Sequence, residues 1–192
     1  MAAMRRPRQV IECGDFTLRR WRGENDFDPA FKLIEESLDH LRPWMPWVAH
    51  HSEESTRNFL ARSDASWDSG DAYNYAITRD VTLIGMCSTY RGTDPQGRIM
   101  GYWLHPAATG QGIATRATAA MVTEAFALPD VEYLEIVHDL ANISSGAIPP
   151  RLGFTEVRRE QITPPAAPSD SGTDVIWRLN RPTVPPNGAV RP

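Results

Sequence analysis

The stretch that decides the fold reads Gly101-Tyr102-Trp103-Leu104-His105-Pro106-Ala107-Ala108-Thr109-Gly110-Gln111-Gly112-Ile113-Ala114-Thr115. It predicts a strand that ends near Leu104, then a loop with two glycines, then a helix that begins at Ile113 and is stopped by Pro129. Such a loop leaves the first amide N–H groups of the helix without partners, with the positive end of the helix dipole behind them. The pattern therefore predicts a pyrophosphate-binding loop.

The two glycines of this loop fit that prediction. A β-carbon at Gly110 or Gly112 would hold phosphate oxygens away from the backbone amides. The alternative is an ordinary glycine-containing loop before a helix. The spacing matches neither GxGxxG nor GxxxxGK[ST], which argues against NAD and ATP and disfavours a nucleotide-binding module.

Working outward, the residues before this stretch alternate between helix and strand signals. They predict, in order, a strand (Val10 to Trp21), a helix (Asp26 to Leu41), an aromatic loop (Leu41 to Trp47), a helix capped by Ser52 and ended by Gly70, and a three-stranded meander (Tyr73 to Thr78, Thr82 to Tyr90, Arg98 to Leu104).

The residues after the stretch predict a strand (Val131 to Val137), a short helical segment within Asp139 to Arg151, a strand (Phe154 to Ile162), a long loop (Pro164 to Thr173) and a last strand (Asp174 to Leu179). Pro149 and Pro150 lack the N–H groups that would bond the carbonyls of Ser145 and Gly146 in a regular helix. That helix is therefore expected to be short or bent.

A meander followed by a strand–loop–helix–strand unit predicts a mixed α/β (α+β) layout with one central sheet. A length of 192 residues suits a single domain, which we place at residues 10–180. Residues 1–9 are predicted to be a basic N-terminal extension and residues 181–192 a Pro-rich disordered tail.

Composition excludes several classes of function. The net charge is −4 and the basic residues are scattered, apart from Arg5, Arg6 and Arg8, so no nucleic-acid partner is expected. Cys13 and Cys87 have no metal-ligand spacing, so no zinc site and no disulfide framework are expected. The chain has no signal-peptide pattern and no apolar run near ~20 residues, so we expect no membrane partner and a cytoplasmic location.

A second group of residues follows the strand that ends near Val137. Asn142 stands at a natural helix N-cap, and Ser145 lies one turn later on the predicted helix. Taken alone, a cap and a surface serine account for both residues.

Together, these segments resemble the GNAT superfamily of N-acetyltransferases, and most closely its RimJ/RimL branch, which acetylates protein amino termini and other amines. The resemblance runs from about Phe16 to Leu179 and lies in four segments: Leu41-Arg42-Pro43-Trp44-Met45-Pro46-Trp47, Gly101 to Pro106, Gly110 to Thr115, and Asn142 to Ser145 continued by Leu152-Gly153-Phe154. It implies a mixed, mostly antiparallel sheet of six to seven strands with about four helices and a splay between the two middle strands.

The resemblance also implies acetyl-CoA as the co-substrate, with the pyrophosphate on the glycine loop and the pantetheine arm in the splay. Thr109 replaces the Gln or Arg that is common at the head of that loop. The residues assigned to the cofactor are Leu104, Thr109, Gly110, Gln111, Gly112, Ile113, Ala114, Thr115, Asn142 and Ser145. A serine at the position of Ser145 is placed near the thioester sulfur as a general acid, which suits a hydroxyl there.

The general base departs from the family pattern, because Ile99 stands where many relatives carry a glutamate. The nearest titratable substitutes are Glu135, His138 and Asp139. We assign the catalytic role to Ser145 with His138, acting through a water, and Glu135. A packing or surface role is the alternative for His138.

The predicted reaction is direct attack by a primary amine on acetyl-CoA in a ternary complex, with backbone N–H groups near Leu104 stabilising the carbonyl oxygen. Trp44, Met45 and Trp47 are predicted to wall the acceptor pocket, and covering the core is their alternative role. The branch resemblance favours a protein or peptide amino terminus as acceptor. A small-molecule amine, a non-catalytic CoA-binding sensor and a homodimer all stay open.

Overall fold

A single sheet of eight strands runs through the residues that the structure, a computed structural model, describes, which are 6–182. The strands are β1 (Val10–Glu12), β2 (Thr17–Arg20), β3 (Ala72–Arg79), β4 (Thr82–Arg91), β5 (Gly97–Leu104), β6 (Tyr133–Asp139), β7 (Thr155–Gln161) and β8 (Thr173–Asn180). Their order is β1-β2-β3-β4-β5-β6-β8-β7, and only β5 and β6 run parallel. The predicted mixed, mostly antiparallel fold is confirmed.

The sheet has one strand more than the six to seven predicted, counted over residues 6–182. The extra strand arises because Val10 to Trp21 forms two strands, where one was predicted. Gly14 adopts a left-handed φ of 84°, and the amide of Cys13 donates to the carbonyl of Phe16 at 2.9 Å. This tight turn folds β2 back onto β1.

Six helices accompany the sheet in the same part of the chain: α1 (Phe27–Glu35), α2 (Leu38–Leu41), α3 (Glu53–Ser69), α4 (Ile113–Phe126), α5 (Ile143–Gly146) and α6 (Ile148–Arg151). The four predicted helices are all present, but the first and the last are each divided in two. The first divides where the buried Ser37 hydroxyl donates to the carbonyl of Leu33 at 2.7 Å, a side-chain bond that competes with the helical ladder. The last divides before Pro149, as its missing N–H predicts.

The predicted ends of α3 are confirmed. The Ser52 hydroxyl accepts from the amide of Ser55 at 3.1 Å, and the Ser55 hydroxyl accepts from the amide of Ser52 at 2.9 Å. Gly70 closes the helix with a φ of 82°, a conformation that favours glycine.

Two apolar clusters hold the helices on the sheet. Residues of α4, such as Ile113 and Met121, pack with Met100, Leu104 and Ile136 of the two middle strands. The second cluster joins α1, α2 and α3 to the sheet through residues that include Leu33, Leu41, Leu60, Ala76 and Trp103. Each fully buried aliphatic side chain contributes roughly 1.5–3 kcal/mol. The packing therefore fixes both flanks of the middle strands.

Both ends of the described chain pack against this body. The amide and guanidinium of Arg8 donate to Glu124 at 2.8 Å, and Arg181 donates to three carbonyls, those of Phe126, Leu128 and Val131, at 2.7 Å each. The domain limits at residues 10 and 180 stay a prediction, and residues 1–5 and 183–192 of the predicted extension and tail lie outside the described residues. Between residues 6 and 182, no helix is both long and apolar enough to cross a bilayer.

Candidate active site

The two parallel strands separate before they end. The ladder between β5 and β6 runs from the pair Gly97 and Tyr133 to the pair Met100 and Ile136. Beyond it, Gly101–Leu104 stays paired with β4 while Val137–Asp139 stays paired with β8. Within residues 6–182, the facing edges of the middle strands therefore carry unpaired backbone, where an extended ligand can add hydrogen bonds as an extra strand does.

A close backbone contact sits beside this splay. Gly85 of β4 lies opposite Leu104. A β-carbon at Gly85 would collide with the carbonyl oxygen of Trp103 and would lie 3.0 Å from the Cα of Leu104. Only glycine lets β5 approach β4 this closely at its end.

The glycine loop lies where β5 leads into α4. Gly110 and Gly112 have left-handed φ angles of 72° and 70°, and a β-carbon at either would meet nothing within 4 Å. Within the described residues, the amides from Gly110 to Thr115 have no hydrogen-bond acceptor, and no acidic residue occupies the first turn of α4. The loop offers a row of free N–H groups at the positive end of a 14-residue helix, which suits an anion.

Side chains brace this loop from behind. The side-chain amide of Gln111 donates from Nε2 to the carbonyl of Ala107 at 2.8 Å and accepts at Oε1 from Arg79 at 3.0 Å. Asp15 bonds Arg79 at 3.0 Å and Arg116 at 2.5 Å, and the Arg116 hydrogen bond lowers the pKa of Asp15. Two guanidinium groups against one carboxylate leave positive charge beside the loop. The sequence analysis named Gln111 as a residue of this loop, but it did not name Arg79, Asp15 or Arg116.

The remaining predicted cofactor residues lie around the same loop. The Thr109 hydroxyl donates to the carbonyl of Pro106 at 2.8 Å and fixes the turn before Gly110. Leu104 and Ile113 are buried, so their side chains belong to the core and only their backbone can face a ligand. Ala114 and Thr115 are half-buried on the first turn of α4.

Asn142 and Ser145 stand at the start of α5. The Asn142 side-chain oxygen accepts from the amide of Ser145 at 3.1 Å, as predicted for an N-cap. The Tyr102 hydroxyl, from β5 across the splay, lies 3.1 Å from the Ser145 carbonyl oxygen and 3.2 Å from its Oγ. Burial raises the pKa of Tyr102, which keeps this phenol protonated. Tyr102 lies within the deciding stretch, but no sequence signal pairs it with Ser145.

His138 is held by hydrogen bonds on both ring nitrogens. Its Nε2 lies 2.9 Å from the indole N–H of Trp177, and its Nδ1 lies 2.8 Å from the carbonyl oxygen of Asp139. An indole nitrogen only donates and a carbonyl only accepts, so the ring is the neutral tautomer with the proton on Nδ1. The lone pair that a base needs is therefore already in use. The ring also lies under α5, because a β-carbon at Gly146 would be 2.6 Å from its Cε1.

Glu135 is a buried partner in an ion-pair cluster. One of its carboxylate oxygens accepts from Arg158 at 3.0 Å and from Arg178 at 2.7 Å. Glu135 as a whole is only 7% exposed. This arrangement favours a structural role over proton transfer. Ile99, in the position of the family glutamate, is the β5 partner of Glu135 in the parallel ladder.

The aromatic loop lies next to the end of β5. Trp47 packs at a tilt against Trp103, with 6.1 Å between ring centroids, and stays exposed, while Met45 packs partly against the second core cluster. Trp44 is half-buried. The carbonyl of Pro43 accepts from Ser169 of the β7–β8 loop at 3.0 Å, so two loops meet on this side.

Three aspartates lie where the β7–β8 loop meets the end of β6. Asp139 is buried, and although burial acts to raise its pKa, hydrogen bonds from Ala141, Ser171, Gly172 and Thr173 hold it below the ordinary value. Burial, then the charge of Asp139, raises the pKa of Asp174, its partner on β8, and burial also raises the pKa of Asp170. In the described part of the chain, no group of three or more His, Cys, Asp or Glu residues is arranged to hold a metal ion.

Comparison with known proteins identifies the family. A family model described as an acetyltransferase (GNAT) domain matches residues 15–155. This chain belongs to the GNAT acetyltransferase family. The ribosomal-protein-serine acetyltransferase of Escherichia coli is 30% identical to this acetyltransferase over 102 residues, which are 52% of this chain and 56% of that protein. The match therefore spans little more than half of the relative's length.

Solved structures with the same fold include RimL, a ribosomal-protein alpha-N-acetyltransferase, in complex with coenzyme A. Its TM-score is 0.81 at 21% identity, over 89% of this chain and 97% of that chain. MccE, a microcin self-immunity acetyltransferase in complex with acetyl-CoA and AMP, has a TM-score of 0.80 at 20% identity, over 90% of this chain and 96% of that chain. The predicted family, fold, enzyme class and acetyl-CoA co-substrate are confirmed at the level of the family.

Proposed function

We propose that this GNAT acetyltransferase moves an acetyl group from acetyl-CoA to the α-amino group of a protein or peptide amino terminus. The observation that carries the proposal is the splay, with free loop amides at one end and the Ser145 hydroxyl at the other. Acetyl-CoA supplies a thioester in which the amine nitrogen replaces sulfur: a C–N bond forms, the C–S bond breaks, one proton leaves the amine and one joins the thiolate.

Each part of the cofactor meets a different part of the chain in this proposal. The amides of Gly110–Thr115, with Arg79 and Arg116 behind them, hold the pyrophosphate. The unpaired edges of β5 and β6 and the Asn142 side chain hold the extended arm. Ser145 donates its Oγ proton to the departing sulfur as the general acid.

The two candidate bases that line the strands of the splay, Glu135 and His138, are both engaged, which supports an α-amino acceptor. Glu135 is ion-paired and the His138 lone pair is occupied. An acceptor must then arrive with its own lone pair. At pH 7 about one α-amino group in seven is neutral, against about one lysine side chain in 2,500, because their pKa values are near 7.8 and 10.4. The chemistry of the described site therefore favours an amino terminus.

The acceptor side also carries suitable charge and shape. Asp139, Asp170 and Asp174 place negative charge beside the end of β6, which attracts a cationic amine as it enters. Trp47, which is exposed and packs against the buried Trp103, offers an aromatic surface at the end of β5 for the apolar part of an acceptor. Trp44 and Met45 complete this wall in the proposal. A cytoplasmic location, where new amino termini are made, belongs to the same proposal.

A small-molecule amine is the second candidate acceptor. It is favoured by the fold likeness to MccE, whose TM-score of 0.80 is nearly that of RimL. The ribosomal-protein relative at 30% identity weighs towards a protein acceptor instead.

The test is acetyl-CoA turnover, followed by release of free thiol, against amino-terminal peptides and small amines. We expect thiol release with peptides that have a free amino terminus and none with the same peptides carrying a blocked one. Ser145→Ala should lower kcat by about 100-fold, the lower end of the contribution of a general acid. CoA binding without thiol release for any acceptor would support a non-catalytic sensor instead.

A further inference from the structure

Tyr102 bridges the two sides of the splay. It lies on β5 two residues beyond the last one paired with β6, and its hydroxyl reaches α5, which follows β6. The phenol oxygen is within hydrogen-bond distance of both polar atoms that Ser145 presents, the carbonyl oxygen at 3.1 Å and Oγ at 3.2 Å.

The Ser145 carbonyl is free to accept this bond because of a proline. In a regular helix, the amide four residues later would donate to it, but that residue is Pro149, which has no N–H. The chain therefore leaves this carbonyl without its regular helical donor, with only the Ala147 N–H directed at it from α5, and the Tyr102 hydroxyl can add a second hydrogen bond. A half-buried phenol and a carbonyl that has lost its helical donor, 43 residues apart, thus become partners.

The hydrogen bonds allow two arrangements of one phenol proton. If Tyr102 donates to the Ser145 carbonyl, the Ser145 hydroxyl can donate back to the phenol oxygen. If Tyr102 donates to Oγ, the proton of the Ser145 hydroxyl is free to point elsewhere. The hydrogen bond that this hydroxyl accepts from Tyr102 also makes it a stronger donor. Both arrangements hold Oγ on the splay side of α5.

We infer that Tyr102 is a positioning residue that directs the Ser145 hydroxyl toward the sulfur of the bound thioester. This inference rests on the proposed function, in which Ser145 protonates that sulfur. Tyr102 keeps its own proton, Ser145 gives its Oγ proton to the thiolate, and water returns one proton to Ser145. Tyr102 thus acts through Ser145 and takes no part in bond formation.

The experiment compares Tyr102→Phe, Ser145→Ala and the double variant, with Tyr133→Phe as the matched control. Tyr133 also uses its hydroxyl in a hydrogen bond, 2.8 Å from Asp94, but it lies where the β5–β6 ladder begins, away from the splay. Two quantities are measured for each protein: kcat with a reactive acceptor, and the pKa of the thiol of bound CoA, followed by the ultraviolet absorbance of the thiolate. The second needs no acceptor.

A hydroxyl that donates to the thiolate lowers the thiol pKa, so Ser145→Ala should raise that pKa and Tyr102→Phe should raise it less. We expect Tyr102→Phe to lower kcat by about tenfold, the scale of one hydrogen bond, with KM for acetyl-CoA unchanged. The double variant should match Ser145→Ala in kcat to within about twofold and should have the same thiol pKa, because Tyr102 has nothing to direct once the Ser145 hydroxyl is gone. Tyr133→Phe should change neither.

Independent, multiplied losses in the double variant would overturn the inference, as would a thiol pKa that Tyr102→Phe or Ser145→Ala leaves unchanged. A raised KM for acetyl-CoA in Tyr102→Phe would indicate a structural role only. If no acceptor is acetylated yet the thiol pKa shifts as expected, the proposed function fails while the Tyr102–Ser145 pairing stands.

Discussion

The substitution Gly112→Ala separates the two roles of the glycine loop, backbone conformation and access to the amides. Gly112 has a φ of 70° and its missing β-carbon would point into open space. Alanine in this left-handed conformation costs roughly 1–2 kcal/mol of folding free energy. For a chain of this size that lowers Tm by roughly 2–8 °C. We expect the new methyl group to hold phosphate oxygens away from the amides at the start of α4, so CoA should lose at least one charge-assisted hydrogen bond, about 10- to 100-fold in Kd.

The matched control for this variant is Gly153→Ala. Gly153 has a similar φ of 81°, and its β-carbon would meet only Leu179, at an ordinary 4.0 Å. It should lose the same stability and keep the wild-type affinity for CoA. Calorimetric titration with CoA and thermal unfolding measure both quantities on both variants. Equal CoA affinity in the two variants would refute the assignment of the pyrophosphate to this loop.

Three further predictions follow from other parts of the site. Asp139→Asn should lower the free energy of unfolding by about 1–3 kcal/mol, since buried amides of the β7–β8 loop lose a charged acceptor. Because the pKa of Asp139 is depressed in the folded protein, the wild-type protein should lose this contribution as pH falls below about 4. The free energy of unfolding of the variant, measured with urea, should depend less on pH in this range. Parallel pH dependences of the two free energies would contradict the role. Gly85→Ala should weaken CoA binding and lower Tm, because its β-carbon meets the backbone of Trp103; a wild-type Tm would show that the strands can part freely. The kcat/KM for an amino-terminal peptide should rise with pH up to about 8, the pKa of the α-amino group, and a plateau already at pH 5–6 that Asp174→Asn abolishes would instead identify Asp174 as an enzymic base.

Much of the fold could be predicted because its signals are local. The glycine loop, the Ser52 cap and the Gly70 stop each depend on a few neighbouring residues, and the structure contains all three. The divided first strand and first helix were missed for the opposite reason. Neither Gly14 nor Ser37 interrupts the spacing of apolar residues around it. The strand divides because Gly14 makes a left-handed turn, and the helix divides because the buried Ser37 hydroxyl donates to the carbonyl of Leu33.

The side-chain network of the site could not be predicted, because its partners are far apart in the sequence. The sequence suggested Glu135 as a base, but in the structure its carboxylate accepts hydrogen bonds from Arg158 and Arg178. These residues lie 23 and 43 positions further along the chain. His138 lies 39 residues from Trp177, whose indole occupies its lone pair. Two features of the site had sequence signals, the Asn142 cap and, through Pro149, the Ser145 carbonyl without its helical donor; the partner of that carbonyl across the splay had none.

The most direct measurement of the central claim locates the acetyl group on a single peptide that has both a free amino terminus and an internal lysine. The peptide is incubated at pH 7 with the enzyme and acetyl-CoA, and fragment mass spectrometry assigns the modified nitrogen. The account predicts acetylation of the α-amino group and an unmodified lysine, since far more of the former is neutral at pH 7 and the candidate bases Glu135 and His138 are engaged. Acetylation of the lysine, or no acetylation of any peptide while a small amine is acetylated, would contradict it.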